Sequence, residues 1–577
     1  MSLLTEHEAA LDANFSKFGY SAYLRTKDDD SSSSSIVEGT SSHQLSKNWS
    51  DPRYSEQHLK FWKRPIVRQY FHKGLLWRSK ESGKVASFEL FIDLLYVGII
   101  GIIGDTASED ATASSLLHFT ITYLMSWRMW TDIATLTNWF ETGDIVQRLS
   151  ILLYLTCLLG FTVNIANAFE SSYTAMVAFY LAERMFQGLY LIWVAALVPT
   201  IRGVMIGQGI LIYIACPIWI ASVHTSYPSQ LGLIFLALIL DIFIPTAFSY
   251  FIRATQRIDW GSPSKRIARL CTYVSTYFDF YPAINIEHRV ERNNSFVSLV
   301  FGYSVFAILY QNRYSSATTN AIFGKACLLL IQAFAFNWIY FEIDLAHLHV
   351  HALRRHFLSG WVWLFGHIPF VMGYTLAAAT MAKLVLAHDC SNANTESLID
   401  AYQAESLAEI STGLRWFYCG GLSTTLISSC LISLCHRHKT ISNLHFDKRT
   451  RLTVRLAACI IIFLLPLAHP IDFSSLHLVA TTCGVTICAL IADLYGLAHK
   501  DDQFWFGGFS HSAKKATQYA AHFTLDKKGR QEIKNSMKLG HRISIKELLH
   551  PSRRSSPDID GVSAVDDHHN PHIHSAV

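Results

Sequence analysis

Twelve apolar blocks, most of them near twenty residues long, recur along this chain and limit what it can fold into. They fall at 88–106, 115–136, 147–168, 174–198, 203–223, 231–252, 295–311, 321–341, 358–384, 413–435, 453–468 and 476–498. A helix rising 1.5 Å per residue needs about 20 residues to cross ~30 Å of hydrocarbon. The pattern predicts an all-α polytopic membrane protein, a bundle of about twelve transmembrane helices. The seventh and eleventh blocks are short, so the expected range is ten to twelve.

Composition agrees. Hydrophobic residues make up 51% of the 577 residues and charged residues only 16%, an apolar surplus that needs lipid as a second solvent. The lipid bilayer is therefore the first expected partner. A net charge of +4, with no basic cluster interleaved with aromatics, excludes a nucleic-acid groove. Of the 11 cysteines, most lie inside apolar blocks, among them Cys157, Cys216, Cys327, Cys430, Cys459, Cys483 and Cys488, where they read as small packing residues and not as a disulfide framework.

The polar stretch 1–84 has no short apolar core with a cleavage signal, so the first membrane helix is expected to direct insertion. It reads as a cytosolic, mostly disordered tail, whose later part, with Trp62, Lys63, Arg64 and Arg68, suits an anionic headgroup surface. The membrane domain then covers 85–500, and 501–577 forms a second cytosolic tail. Loop charges sort alternately. Arg253, Arg257, Lys265, Arg354, Arg355, Arg437 and Lys439 fall on one side, and Glu109, Asp110, Glu170, Asp389 and Glu396 on the other. Because Lys and Arg favour the cytosolic side of short loops, both termini are expected there. Between the sixth and seventh blocks, Ile267, Leu270, Val274, Tyr277 and Tyr281 follow Ser264 at helical spacing, which predicts an interfacial helix dividing the bundle into two six-helix halves. Glu89 and Glu291 stand just before or inside the opening helix of each half, which leaves a parallel internal repeat as an option without establishing one.

Ionisable side chains inside a span cost ~2.5–3.5 kcal/mol each on insertion scales, so they tend to face protein and pair. Glu89 and Asp93 lie four apart on one helix face near the cytosolic end. Arg128, with Asp132 beside it, returns toward their depth and is the expected partner of a first-helix carboxylate. Glu183 and Arg184, Asp241, His367 and Asp493 follow within spans, and His288, Glu291 and Arg292 sit at a cytosolic end. Together they describe a polar interior opening toward the cytosol. The alternative is a set of structural pairs that fix helix register without chemistry.

No cofactor motif and no metal site is assigned. His347-x-His349-x-His351 would bring His347 and His351 together on a helix, but no acidic-histidine signature completes a site. Histidines facing headgroups are the simpler reading. His568, His569, His572 and His574 belong to the tail, and Arg553-Arg554-Ser555 there suits a kinase. Gly98, Gly101 and Gly104 offer close helix packing.

Phe88-Glu89-Leu90-Phe91-Ile92-Asp93-Leu94-Leu95-Tyr96-Val97 resembles the Glu-Leu-Phe-Phe-Asp-Leu-Val-Phe-Val opening of the low temperature requirement A (LtrA) family. A second segment, Glu291-Arg292-Asn293-Asn294-Ser295-Phe296 with Leu299 to Ser304, is similar to that family's Glu-Arg-x-Gly-Leu-Phe and Leu-Gly-Glu-Ser pair. Tyr303 stands where the family usually carries an intramembrane Glu, and Asn294 where it often has Gly. The resemblance covers roughly 85–500, looks most like the longer fungal members, and implies a membrane protein named for growth in the cold, without a mechanism.

The intramembrane charges favour a transporter or channel-like protein for a small polar or ionic solute, with proton coupling as an option. A membrane enzyme acting on lipid headgroups is the second reading, weakened by the lack of a nucleophile or metal motif. A structural role in stress adaptation is the third.

Overall fold

Why three of the long helices are more polar than the rest organises this fold. The computed structural model describes residues 61–72, 75–78, 87–140, 143–257, 278, 280–310, 320–344, 348–393, 395–438, 443–469 and 473–500. The chain divides into two compact units, Met1–Asp501 and Asp502–Val577, and every described residue lies in the first. The interfacial helix expected near 264–281 and the terminal tails lie, for the most part, outside the described residues.

Among the described residues there are twelve helices of 17 residues or more: α1 (Ser87–Glu109), α2 (Ala113–Trp139), α3 (Ile145–Val163), α4 (Tyr173–Leu197), α5 (Arg202–Val223), α6 (Ser229–Arg257), α7 (Ile286–Tyr310), α8 (Ala321–Trp338), α9 (Phe357–Leu386), α10 (Thr412–Cys435), α11 (Lys448–Leu464) and α12 (Ser475–Leu497). Nine of these, all but α2, α4 and α7, are long and apolar enough to cross a membrane. Those three carry Arg128 and Asp132, Glu183 and Arg184, and His288 to Arg292, respectively.

Helix starts follow local chemistry. Thr112, Asp144, Asn320, Ser411, Asp447 and Ser474 each accept a backbone N–H of the first turn, which satisfies one donor left open at a helix start. Exposed Leu149, Leu152, Leu189, Ile239, Phe334 and Ile460 stand on outward faces, as a lipid-facing surface requires. All ten cysteines among the described residues are free thiols, five of those named above being buried as packing groups.

Helices α9 and α10 make the most extensive pairing, followed by α4 with α5. Gly373 and Gly421 permit it. A Cβ on Gly373 would come within 2.7 Å of the Gly421 carbonyl oxygen, so the two backbones touch with no side chain between them. On α1, Gly101 and Gly104 bear on the Tyr303 ring, whereas Gly98 meets nothing. The two expected halves interleave, because α1 packs as extensively on α7 and α9 as on α2.

Residues 61–72 and 75–78, within the stretch read as a tail, are among those described. Strand β1 (Gln69–His72) pairs antiparallel with β2 (Leu75–Arg78) and with β3 (Phe280–Pro282). Just before it, Arg64 donates from Nε to the Leu197 carbonyl at the end of α4 (2.8 Å), and Lys63 N–H reaches the Asp144 carboxylate (2.7 Å). Polar residues read as a tail are thus tied to the ends of membrane helices. A second small pair joins β4 (Leu348–Val350) and β5 (Arg437–His438). His349 therefore lies on a strand, and His347 lies outside the described residues, so the helical spacing expected for that histidine run does not occur.

Candidate functional site

Three groups of buried charge lie among the described residues, each with an arginine holding two carboxylates. In the first, Glu89 and Asp93 of α1 face α7, whose opening turns place His288 and Arg292 against them. Arg292 Nη1 donates to Asp93 Oδ2 (2.5 Å) and to the Glu89 carbonyl (2.9 Å), and its Nε lies 3.5 Å from Glu89 Oε2. Trp130 of α2 donates to the other Asp93 oxygen (3.0 Å). His288 Nε2 stands 3.1 Å from Glu89 Oε2, and its Nδ1 accepts from the Asn138 amide (3.2 Å). That amide fixes the tautomer, leaving the Nε2 proton for Glu89. The guanidinium of Arg289 lies 5.3 Å from the centre of the Trp130 ring.

The second group sits deeper in the bundle. Arg184 of α4 bridges Asp132 of α2 and Asp241 of α6, reaching Asp241 Oδ1 at 2.9 Å. Arg128 holds the remaining Asp132 oxygen at 2.7 Å, one turn away on the same helix. Tyr180 (2.9 Å) and Trp219 (2.8 Å) both donate to Asp241 Oδ2. Pro245, four residues after Asp241, lacks the N–H that would bond the Asp241 carbonyl, so the backbone ladder is open beside the carboxylate. Glu183, 1% exposed, has no hydrogen-bond partner on either carboxyl oxygen.

The third group repeats the motif near the end of α8. A π-helical turn over Ile339–Ile343 delivers Asp344 into the interior. There Arg455 of α11 reaches Asp344 Oδ1 (2.8 Å) and Asp493 Oδ2 of α12 (2.5 Å), with Arg451 3.8 Å from Asp493.

The arrangement revises several expected contacts. Arg128 does not pair with α1: Arg292 takes that place, because the opening turns of α7 lie beside Glu89 and Asp93 while Arg128 finds Asp132 on its own helix. Glu291 is exposed, turned away from the buried Arg292, and lines an open cleft with Asn294, His351 and Arg354. His367 is buried but apart from the three groups, its Nδ1 on the Trp363 carbonyl (2.6 Å) and its Nε2 against the Tyr340 hydroxyl (2.9 Å). Asp493 is buried, and its partner Arg455 was not anticipated. Arg455 is a charge inside the eleventh block, and that position was the available signal. Tyr303, at the position of the family's Glu, donates to Asp105 Oδ1 of α1 at 2.9 Å. No cluster of three or more His, Cys, Asp or Glu side chains able to hold a metal occurs among the described residues.

The first and second groups are neighbours. Tyr96 of α1 is fully buried and within electrostatic reach of Asp93 and Arg292 on one side and of Asp132 and Glu183 on the other. Five helices thus supply the paired charges of these two groups.

Residues 84–492 match the model of a family described as bacterial low temperature requirement A protein (LtrA). No curated protein and no solved structure matches the chain. With most of its length aligned to that model, from the Glu89 and Asp93 opening into α12, the chain belongs to the LtrA family.

Proposed function

We propose that this protein moves a small polar or ionic solute across a membrane. All twelve long helices cross in this reading, α2, α4 and α7 included, because the charges that lower their hydropathy are paired inside the bundle. The basic loops and both termini then lie in the cytosol. The first and third groups fall at the cytosolic ends of their helices, and the Arg184 group lies deeper, on the route.

The observation that supports this reading is the burial of Glu89, Asp93, Arg292 and Arg184 in ion pairs on neighbouring helices. Pairs that only fixed helix register could stand anywhere, and replacing such pairs with apolar groups is often neutral or stabilising. Flux in proteoliposomes tests it, with alkali cations, ammonium, phosphate and small carboxylates as probes. Asp93→Asn and Arg184→Ala should abolish flux that the wild type supports. Folded variants with wild-type flux would remove these residues from the route.

A second reading rests on the open cleft of about 600 Å³ lined by Glu287, Glu291, His351 and Arg354. Its acid and base groups suit an enzyme acting on lipid headgroups at the cytosolic surface. Altered lipid species in a strain lacking the protein, without any flux in liposomes, would favour it.

A further inference from the structure

Two of the three buried groups balance their charges. Asp132 and Asp241 face Arg128 and Arg184, and Asp344 and Asp493 face Arg451 and Arg455. Glu183 is the odd acid. Among the described residues it is the one buried carboxyl within these helices that has no donor on either oxygen. An ionised carboxylate held there would carry its whole desolvation penalty and tip a balanced group to net negative.

Its surroundings contain what an ionised form would seek. The Nε atoms of Arg128 and Arg184 are buried donors without acceptors. The charges acting on Glu183 are Asp132, Arg184, Arg128 and Asp241, from α2, α4 and α6. The titratable neighbours from other helices are Tyr96 of α1, Tyr154 and Cys157 of α3, and Cys216 of α5. Tyr154 is engaged with Gln187, one turn beyond Glu183, and Tyr96 with the Ser126 carbonyl (3.0 Å).

We propose that Glu183 is the proton-binding site of the bundle, holding a proton in this state and, on releasing it, competing with Asp132 for the guanidinium groups of Arg128 and Arg184. Proton loss converts a neutral acid into a third carboxylate among two guanidinium groups. One of the existing ties between α2, α4 and α6 must then loosen. This rests on the transport reading for its purpose, as the step that couples a proton gradient to opening of the Arg184 group, but not for its test.

Infrared difference spectroscopy on the full chain in lipid reads the site without any solute. The wild type should show the carbonyl stretch of a carboxylic acid free of hydrogen bonds, lost as the pH is raised. Glu183→Gln should remove that band, and Glu183→Asp should keep it at a shifted frequency. Asp132→Asn provides the sharper arm: with a competing carboxylate gone, Glu183 should ionise onto Arg184, and the band should vanish at neutral pH with Glu183 intact. A band absent from the wild type, unchanged in Glu183→Gln, or persisting in Asp132→Asn would overturn the proposal. If the bands behave as expected while liposomes show no flux of any probe, the transport reading fails and the proton site stands.

Discussion

At the scale of single residues, an arginine that bridges two helices differs from one that serves its own. Arg184 joins Asp132 and Asp241 and is 1% exposed, whereas Arg128 holds one Asp132 oxygen from the same helix at the rim of the group. Removing one partner of a buried pair leaves an uncompensated charge and costs about 3–5 kcal/mol, most of it the penalty of the stranded group. Arg184→Ala should therefore lower the stability of the purified protein by at least that amount, and Arg128→Ala by less than half of it. Denaturant titration in detergent measures both, and equal losses would argue against the bridge. Sequence reading reached many of these residues and few of their partners. Charges within apolar blocks stand out by cost alone, which marked Asp93, Arg184 and Asp241. That cost says nothing of which charge faces which, so Arg292 and Arg455 acquire their roles only once helices distant in sequence are packed together.

At the scale of elements, helix ends carry the information that hydropathy hides. The seventh apolar block begins at 295, yet α7 starts at Ile286. Its first turns, Glu287 to Asn293, are too polar to belong to an apolar block, and their His288 and Arg292 are buried because Glu89 and Asp93 meet them from α1. The link between α8 and α9 contains another such end. His351 Nδ1 accepts the Leu353 N–H (3.3 Å), His436 Nδ1 accepts the Ala352 N–H (3.2 Å), and the two rings lie 4.7 Å apart. Burial, reinforced by the Arg354 charge, pulls His351 down from 6.5 to about 4. Burial together with the neighbouring His351 pulls His436 to about 3. Both native rings are thus favoured as neutral acceptors, and a protonated Nδ1 cannot accept. Since the unfolded chain takes up these protons first, the contribution is fully present above about pH 6.5 and is lost as pH falls toward 4. The melting temperature should drop across that window, and His436→Gln should flatten the fall. A wild-type profile that is level from pH 7 to 4 would exclude this contact as a pH-dependent element.

At the scale of the whole molecule, the proposed orientation makes a direct prediction. With twelve crossings and basic loops in the cytosol, the segment between α9 and α10, which holds Asp389, Glu396 and the short helix Asp400–Ala404, faces the opposite side. A glycosylation acceptor inserted near residue 400 should be modified in a eukaryotic host, and one inserted near residue 440 should not. Modification at the second site alone would invert the topology. The all-helical membrane class was legible from block length, because lipid thickness imposes it on any spanning chain. The interleaving of α1 with α7 and α9 was not, since contacts between helices two hundred residues apart leave no periodic trace in either segment.

The glycine seam between α9 and α10 sets a boundary on how such a molecule can move. Where two main chains lie against each other with nothing interposed, sliding or tilting would collide carbonyl with carbonyl, so those helices travel as a single strut. Freedom to rock belongs instead to joints made of ions, which can let go of one partner and take another without leaving a hole.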